Sequence, residues 1–316
     1  MKTTTYRTKS ANKTEPKQDK FISKILENLD KVNAGDWENY TDIGDVFPSN
    51  LFTGKNYKGF NIVALFLDTI ANGFTSARYA TFSSIAKAGG KLQKGAKGCV
   101  IEFFSYVYKH KETGKNYTSE QVREMSAEQL KQVDKIPCLK TYTVFNSQFI
   151  ENLADLNLDI VDDLPEENEV EELQNCEKFI SNIILNGDLD LRFGNGTIAY
   201  YSPAMDYVFM PERKYFVSTS KFYSVLFHEI IHWTGNAQRL DRVMKGHKDK
   251  ESYSFEELIA EMGAMLNCLQ FGILNEFINS VRYLKSWADH NSQDRETAIR
   301  KAFIESKKAK KFLENL

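Results

Sequence analysis

The stretch that most constrains this chain is Phe227-His228-Glu229-Ile230-Ile231-His232-Trp233. Two histidines four residues apart share one face of a helix, and a glutamate adjoins the first. The flanks are written for such a helix. Ser218, Thr219 and Ser220 offer N-caps, Phe222, Val225, Leu226 and Ile230 recur at helical spacing, and Gly235 and Asn236 offer a stop. Two imidazoles on an otherwise apolar helix need a polar partner. A Zn2+ ion held by His228 and His232 is one, with Glu229 placed to take a proton from water as the catalytic base of a metallopeptidase. A pair of hydrogen-bonded core histidines is the other. The pattern fixes only three positions, so its weight comes from its setting inside a buried helix.

A catalytic zinc requires a third protein ligand and an open position. The next apolar helical stripe, Phe255, Leu258, Ile259, Met262, Leu266 and Leu269, carries Glu257 and Glu261 one turn apart at its border. A half-buried carboxylate needs a partner, and a metal ion or a metal-bound imidazole serves. Glu257 is the expected third ligand and Glu261 the expected group orienting a histidine. Ser254 and Glu257 also spell a capping box, which would explain Glu257 without metal. Zn2+ is the expected cofactor, with another divalent cation as the alternative.

The net charge of −2 over 316 residues conceals a strong asymmetry. Between Leu51 and Lys115 ten Lys and Arg face only Asp68, Glu102 and Glu112. Lys55, Tyr57 and Lys58 lie in one glycine-punctuated loop, and Lys91, Lys94 and Lys97 in another, Gly89 to Gly98. Lysines on glycine loops can follow a phosphate backbone, and exposed aromatics can stack on unpaired bases. These six residues are the expected contacts to single-stranded DNA. A solvated lysine face with the aromatics in the core fits the same composition. No recognition-helix pattern for reading duplex DNA is present.

From Glu151 to Glu177 the sign reverses, and acidic residues crowd with no base before Lys178. That run reads as a solvated linker. The expected organisation is α+β in two domains: a flexible basic tail at 1–20, a DNA-binding domain at 21–150, an acidic linker at 151–175 and a metallopeptidase domain at 176–316. Strands are expected at 99–108, 140–146, 197–201 and 207–211, and helices at 21–32, 61–67 and 176–185. A strand ahead of the metal helix suits a peptidase that adds an extended substrate to a sheet edge. Lys307, Lys308, Lys310 and Lys311 read as a wet helical face. Cys99, Cys138, Cys176 and Cys268 lack metal spacing and read as free thiols of a cytoplasmic protein. No run is long and apolar enough for a membrane span, and no signal peptide is evident.

Several of these segments together resemble the ArdC-type antirestriction proteins of mobile elements. Gly54-Lys55-Asn56-Tyr57-Lys58-Gly59 with Asn61, the Gly89–Gly98 loop and Tyr142-Thr143-Val144-Phe145-Asn146 are similar to the family's N-terminal half. His228 to Gly235 with Arg239-Leu240-Asp241-Arg242, then Glu256 to Glu261 and Tyr283-Leu284-Lys285-Ser286-Trp287, are similar to its peptidase half. The resemblance implies an N-terminal single-stranded DNA-binding domain, a C-terminal zincin domain and protection of incoming DNA from restriction. Leu92 stands where the family has Val, and Asn236 where His is expected, which leaves Glu257 as the better third ligand. Two rival functions remain: a DNA-coating protein with a zincin scaffold, and a peptidase that clears DNA-bound proteins.

Overall fold

The computed structural model describes residues 19–32, 47–156, 158, 169–244, 250–273, 276–290 and 294–316. The expected basic tail up to residue 18, and residues 159–168 of the expected acidic linker, lie outside that set.

Helix α1 (Lys20–Lys31) begins where the Asp19 carboxylate accepts the backbone N–H groups of Phe21 and Ile22, and it buries Phe21, Ile22, Ile25 and Leu29. After the short strand β1 (Ser49–Asn50) comes α2 (Phe60–Ala71), buried almost all round. Its one carboxylate, Asp68, accepts from Asn28 and from the Tyr79 hydroxyl, and burial pushes its pKa up. Strand β2 (Arg78–Thr81) and the short helix α3 (Phe82–Lys87) lead to β3 (Cys99–His110). Then follow β4 (Asn116–Tyr117), the single-turn helices α4 (Ser119–Arg123) and α5 (Ala127–Lys131), and β5 (Val133–Asn146). The sheet order is β1-β2-β5-β3-β4, with β1 and β2 parallel and the rest antiparallel.

Strands β3 and β5 pair from Cys99↔Val144 to His110↔Val133, a ribbon about 40 Å long at 3.4 Å per residue. Only its root, Cys99, Ile101 and Val144, is buried beneath the helices. β5 begins seven residues before the strand expected from the sequence, where Pro137 argues against a strand. The outer ribbon has just two main strands, so one edge of β5 is free and tolerates a residue without an N–H.

The C-terminal unit starts with α6 (Glu169–Gly187), whose first turns lie within the stretch expected as linker. Strands β6 (Asp190–Gly194), β7 (Tyr200–Ser202) and β8 (Tyr207–Pro211) form a sheet in the order β6-β8-β7. β7 is shorter than the 197–201 strand expected, and it pairs only along Tyr200–Ser202 with Tyr207–Phe209. Helices α7 (Thr219–Thr234), α8 (Lys250–Gln270), α9 (Phe277–His290) and α10 (Arg295–Glu314) complete the chain. All four cysteines are free thiols. Among the described residues no helix is long and apolar enough to cross a membrane.

The two units share one hydrophobic core, which runs from Phe21 of α1 to Leu313 of α10. Phe303 of α10 meets Phe60 edge-on at 4.2 Å between centroids, and Phe277 of α9 meets Phe66 at 5.0 Å. Arg300 of α10 pairs with both Asp19 and Glu102. The fold is therefore α+β, with two units joined through α1 and α2 on one side and α9 and α10 on the other.

Candidate metal centre

Helix α7 carries the two histidines. The Ser218 hydroxyl accepts the Lys221 N–H at 3.0 Å and caps the helix, while Phe222, Leu226, Ile230 and Ile231 anchor it in the core. Helix α8 crosses it closely. A Cβ on Gly263 would stand 2.7 Å from a side-chain carbon of Ile231, so any larger residue would push the helices apart. Gly263 lies two residues past Glu261, and the close crossing brings the α8 carboxylates within reach of the α7 imidazoles.

His228 Nε2 and His232 Nε2 lie 3.1 Å apart; one Glu257 carboxylate oxygen, Oε2, lies 3.4 Å from the first and the other, Oε1, 3.5 Å from the second. The donor atoms of His228, His232 and Glu257 all fall within 4.8 Å of one another. Each imidazole is held from behind. His228 Nδ1 is 3.3 Å from Glu261, whose other oxygen accepts the Ser280 hydroxyl at 2.7 Å. His232 Nδ1 is 3.2 Å from Glu256, whose carboxylate takes two N–H groups of Arg242 at 2.7 and 3.0 Å.

Carboxylates at both Nδ1 atoms favour the Nδ1–H tautomer, which leaves both Nε2 atoms facing the same spot. At 3.1 Å apart they are held together by a cation between them, a metal ion or a proton. A tetrahedral ion with bonds of about 2.0–2.1 Å requires donor separations of about 3.3 Å; the 3.1 Å between the imidazoles and the 3.4 Å from His228 to Glu257 Oε2 lie close to that. Glu229, Glu256, Glu257 and Glu261 set four carboxylates around the two imidazoles, with Arg242 beside Glu256 and Lys221 near Glu261 as the counter-charges, an environment that favours a cation at the imidazoles. The donor set fits a zinc-like ion with three protein ligands and an open side.

Proton equilibria reflect the same crowding. Burial alone would depress the His228 imidazole, but hydrogen bonds to Glu257 and Glu261 outweigh it and push it up to about 10. Burial likewise opposes, and Glu256 and Glu257 reverse, the shift of His232, which rises. Glu257 is held well below the usual carboxylate range, the two imidazoles outweighing its burial. Glu229 moves up because it is desolvated, although the adjacent histidines and the Tyr201 backbone N–H oppose that. Strand β7 packs against α7, with Tyr201 near Glu229. A cavity of about 250 Å³ opens on the His228 and Glu229 side, walled by Lys221, Ser224, Glu261, Asn279 and Ser280.

The capping-box explanation of Glu257 does not apply, because α8 begins at Lys250 and Ser254 lies inside it, where its hydroxyl accepts the Trp287 indole N–H. Glu256 and Arg242 play a part that the sequence reading missed. The signal lay in the basic run Arg239 to Arg242 just beyond the metal helix. Asn236, where a histidine was expected, bonds the Tyr201 hydroxyl and Asp206 instead and stays clear of the cluster.

In the N-terminal unit Lys55, Lys58, Lys91, Lys94 and Lys97 are exposed. Tyr57 is half-buried against the core, its hydroxyl donates to the Tyr79 carbonyl at 3.1 Å, and burial pushes its pKa up to about 12. The two lysine loops meet: Leu51 and Phe52 of one and Leu92 of the other pack in a small cluster with Ala80, Ile85, Phe145 and Ile150.

Residues 16–145 match the family model for the N-terminal domain of anti-restriction factor ArdC, and residues 177–304 that for a zincin-like metallopeptidase. The chain is similar to the DNA primase TraC of Escherichia coli, 27% identical over 278 residues that make up 86% of this chain and 18% of the primase. It thus spans under a fifth of that relative's length. It is also similar to the crystal structures of antirestriction protein ArdC from the R388 plasmid, 29% identical over 94% of this chain. The metal-free form gives a TM-score of 0.54 over 97% of that chain, and the Mn(II)-bound form 0.57 over 98%. The chain thus joins a domain of the ArdC N-terminal type to a zincin-like metallopeptidase domain.

Proposed function

We propose that this chain is an antirestriction protein of a mobile element that binds single-stranded DNA and carries a zinc-dependent peptidase site, and that it protects incoming DNA. The observation that carries the catalytic half is the convergence of the His228, His232 and Glu257 donor atoms within 4.8 Å of one another, with Glu229 next to His228 on the same helix. The Mn(II)-bound form of R388 ArdC supports binding of a divalent ion by this chain, and the donor set of two imidazoles and one carboxylate favours zinc.

A zinc ion there supplies a Lewis acid that polarises a carbonyl and makes water a better nucleophile. The chain's own groups do the rest. Glu261 and Glu256 fix both imidazoles with Nδ1 protonated and Nε2 free. Glu229 accepts a proton from the attacking water on a carboxylate oxygen and delivers it to the leaving amine, and its burial suits a group that both takes and gives. The open edge of β7, which packs against α7, is where an extended peptide can add as a further strand. In the N-terminal unit, the exposed lysines of the two converging loops supply the phosphate contacts.

Metal analysis of the purified protein tests the site. Wild type should carry about one zinc per chain, and His228→Ala and His232→Ala should carry far less; equal loading of all three would remove the assignment. Glu229→Gln separates the rival functions. If that variant still shields DNA from restriction, hydrolysis is dispensable and the DNA-coating reading stands. For the peptidase that clears DNA-bound proteins, cleavage of a bound protein should rise when single-stranded DNA is added.

A further inference from the structure

The outer ribbon of β3 and β5 has no role in the reading above, yet it carries the largest exposed aromatic surface of the N-terminal unit. Alternation along paired strands places Thr143, Thr141, Leu139, Phe104, Tyr106 and Lys135 on one face. Thr141 and Thr143 are exposed, Leu139 is 53% exposed and Phe104 50%. Phe104 and Tyr106 stand edge to face with centroids 5.1 Å apart, and the Lys135 ammonium lies 4.0 Å over the Tyr106 ring. A soluble chain rarely leaves such a patch uncovered unless something binds it.

Two observations say what covers it. The first is continuity with the lysine loops. At the root of this face Gly98 lies so close to Thr143 that a Cβ would stand 2.3 Å from its methyl group, and Phe145, two residues on, packs with Leu92 and Leu51 of the two loops. Lys97 therefore enters the ribbon directly, about 24 Å of extended chain before Phe104. The second is charge. The one carboxylate on this face, Glu102, is paired with Arg300, whereas Lys135 lies among the rings. An acidic partner fits this face.

We propose that this face of the ribbon is a base-stacking surface for single-stranded DNA. Its rings take successive unpaired bases, while the lysine loops at its root hold the phosphates. Phenylalanine and tyrosine on an open sheet stack on bases without regard to sequence, as every base has a π-face. The proposal deepens the DNA-binding half of the function above and rests on it, but it puts the stacking groups at Phe104 and Tyr106 rather than at Tyr57.

The test is fluorescence anisotropy of the full chain with a labelled oligo-thymidine strand, over a range of salt. Phe104→Ala with Tyr106→Ala should weaken binding about 30-fold or more, two bases each losing the lower limit of a stacking contact. The slope of log affinity against log salt should stay as in wild type, because stacking releases no counterions. Phe104→Trp with Tyr106→Phe should restore affinity, which a fold defect would not allow. Unchanged affinity in the double alanine variant overturns the ribbon assignment while leaving DNA binding intact. Rescue by Phe104→Leu with Tyr106→Leu overturns it in favour of an apolar protein contact, and a concentration-dependent dimer lost in the alanine variant overturns it in favour of a second copy. A wild type that does not bind the strand removes both this proposal and the DNA-binding reading.

Discussion

Glu256→Gln should weaken metal binding and lower stability by separable amounts. Glu256 is nearly dry, with a side chain 7% exposed, and Arg242 beside it is 5% exposed. The carboxylate makes three bonds, one to His232 Nδ1 and two to Arg242. A glutamine keeps one acceptor oxygen and turns an NH2 group toward either the guanidinium or the imidazole N–H. Removing one partner of a buried ion pair costs about 3–5 kcal/mol. The Ile231 carbonyl and Thr234 hydroxyl continue to hold Arg242, at 2.7 and 2.8 Å, so the lower figure applies. At about 2.1 cal/mol/K per residue, the unfolding entropy of 316 residues is about 0.66 kcal/mol/K, so 3 kcal/mol moves Tm by about 4–5 °C. That shift should appear in chelator, where no metal contributes. Separately, zinc affinity measured by competition with a chromophoric chelator should fall about 10- to 100-fold, the usual cost of losing a group that orients a metal-bound histidine. Glu261→Gln is the control. Its side chain is 23% exposed and among the described residues it pairs with no arginine, so it should lose zinc affinity with little loss of stability. A Glu256→Gln protein that melts early yet binds zinc as tightly as wild type would show that Glu256 anchors Arg242 and does nothing for His232.

Phe303→Ala removes the ring wedged between Phe60 and Phe21, so it should cost about 3–5 kcal/mol and lower the melting of both halves together, read by proteolysis of each unit on warming. Changing Lys91, Lys94 and Lys97 together to alanine should reduce the salt slope of single-strand binding by about 2, as three phosphate contacts contribute about 0.7 each; an unchanged slope places the phosphates elsewhere. The Asp19 carboxyl is shifted by burial, which raises it, and by Arg300 and the α1 N–H groups, which more than offset this and hold it below its ordinary 3.8. A depressed folded pKa stabilises above the unfolded value and is lost as pH falls through the folded one. The stability gap between wild type and Asp19→Asn should therefore be full near about pH 6 and close toward about pH 2 in denaturant titrations.

What the sequence disclosed follows from which patterns are periodic. His228 and His232 share a face because the helical repeat says so, and Glu257 and Glu261 stand at the border of an apolar stripe that any heptad-like count reveals. Glu256 was hidden because it occupies the same stripe's edge and reads as surface; only the crossing of α7 over α8 at Gly263, and an arginine returning from the loop beyond α7, bury it. The ribbon misleads in the opposite sense. Val100 to Tyr108 is apolar on both faces, the signature of a strand covered on each side, yet β3 outruns its sheet and leaves Phe103 and Phe104 in solvent. Tyr57 illustrates the same limit. An aromatic between two lysines in a glycine loop looks free to stack, but its hydroxyl reaches the Tyr79 carbonyl and the ring lies against the core.

The acidic stretch invites a picture of two beads on a string, and the core contradicts its simplest form. Phe21, Phe60 and Phe66 from the first unit pack against Phe303 and Phe277 from the second, and Arg300 binds Asp19 and Glu102 from the opposite side of that junction. Glu102 lies two residues from Phe104 on the same face of β3, so the ribbon's root is fastened to α10. Ser280 of α9 bonds the Glu261 that holds His228. Helices α9 and α10 thus touch the metal cluster on one side and the ribbon's root on the other. Packed cores deform little, so a strand lying along the ribbon and a peptide lying along β7 would be held at a fixed distance and orientation. Selection of a protein substrate by its attachment to DNA then requires no conformational signal: rigid placement of the two surfaces is sufficient.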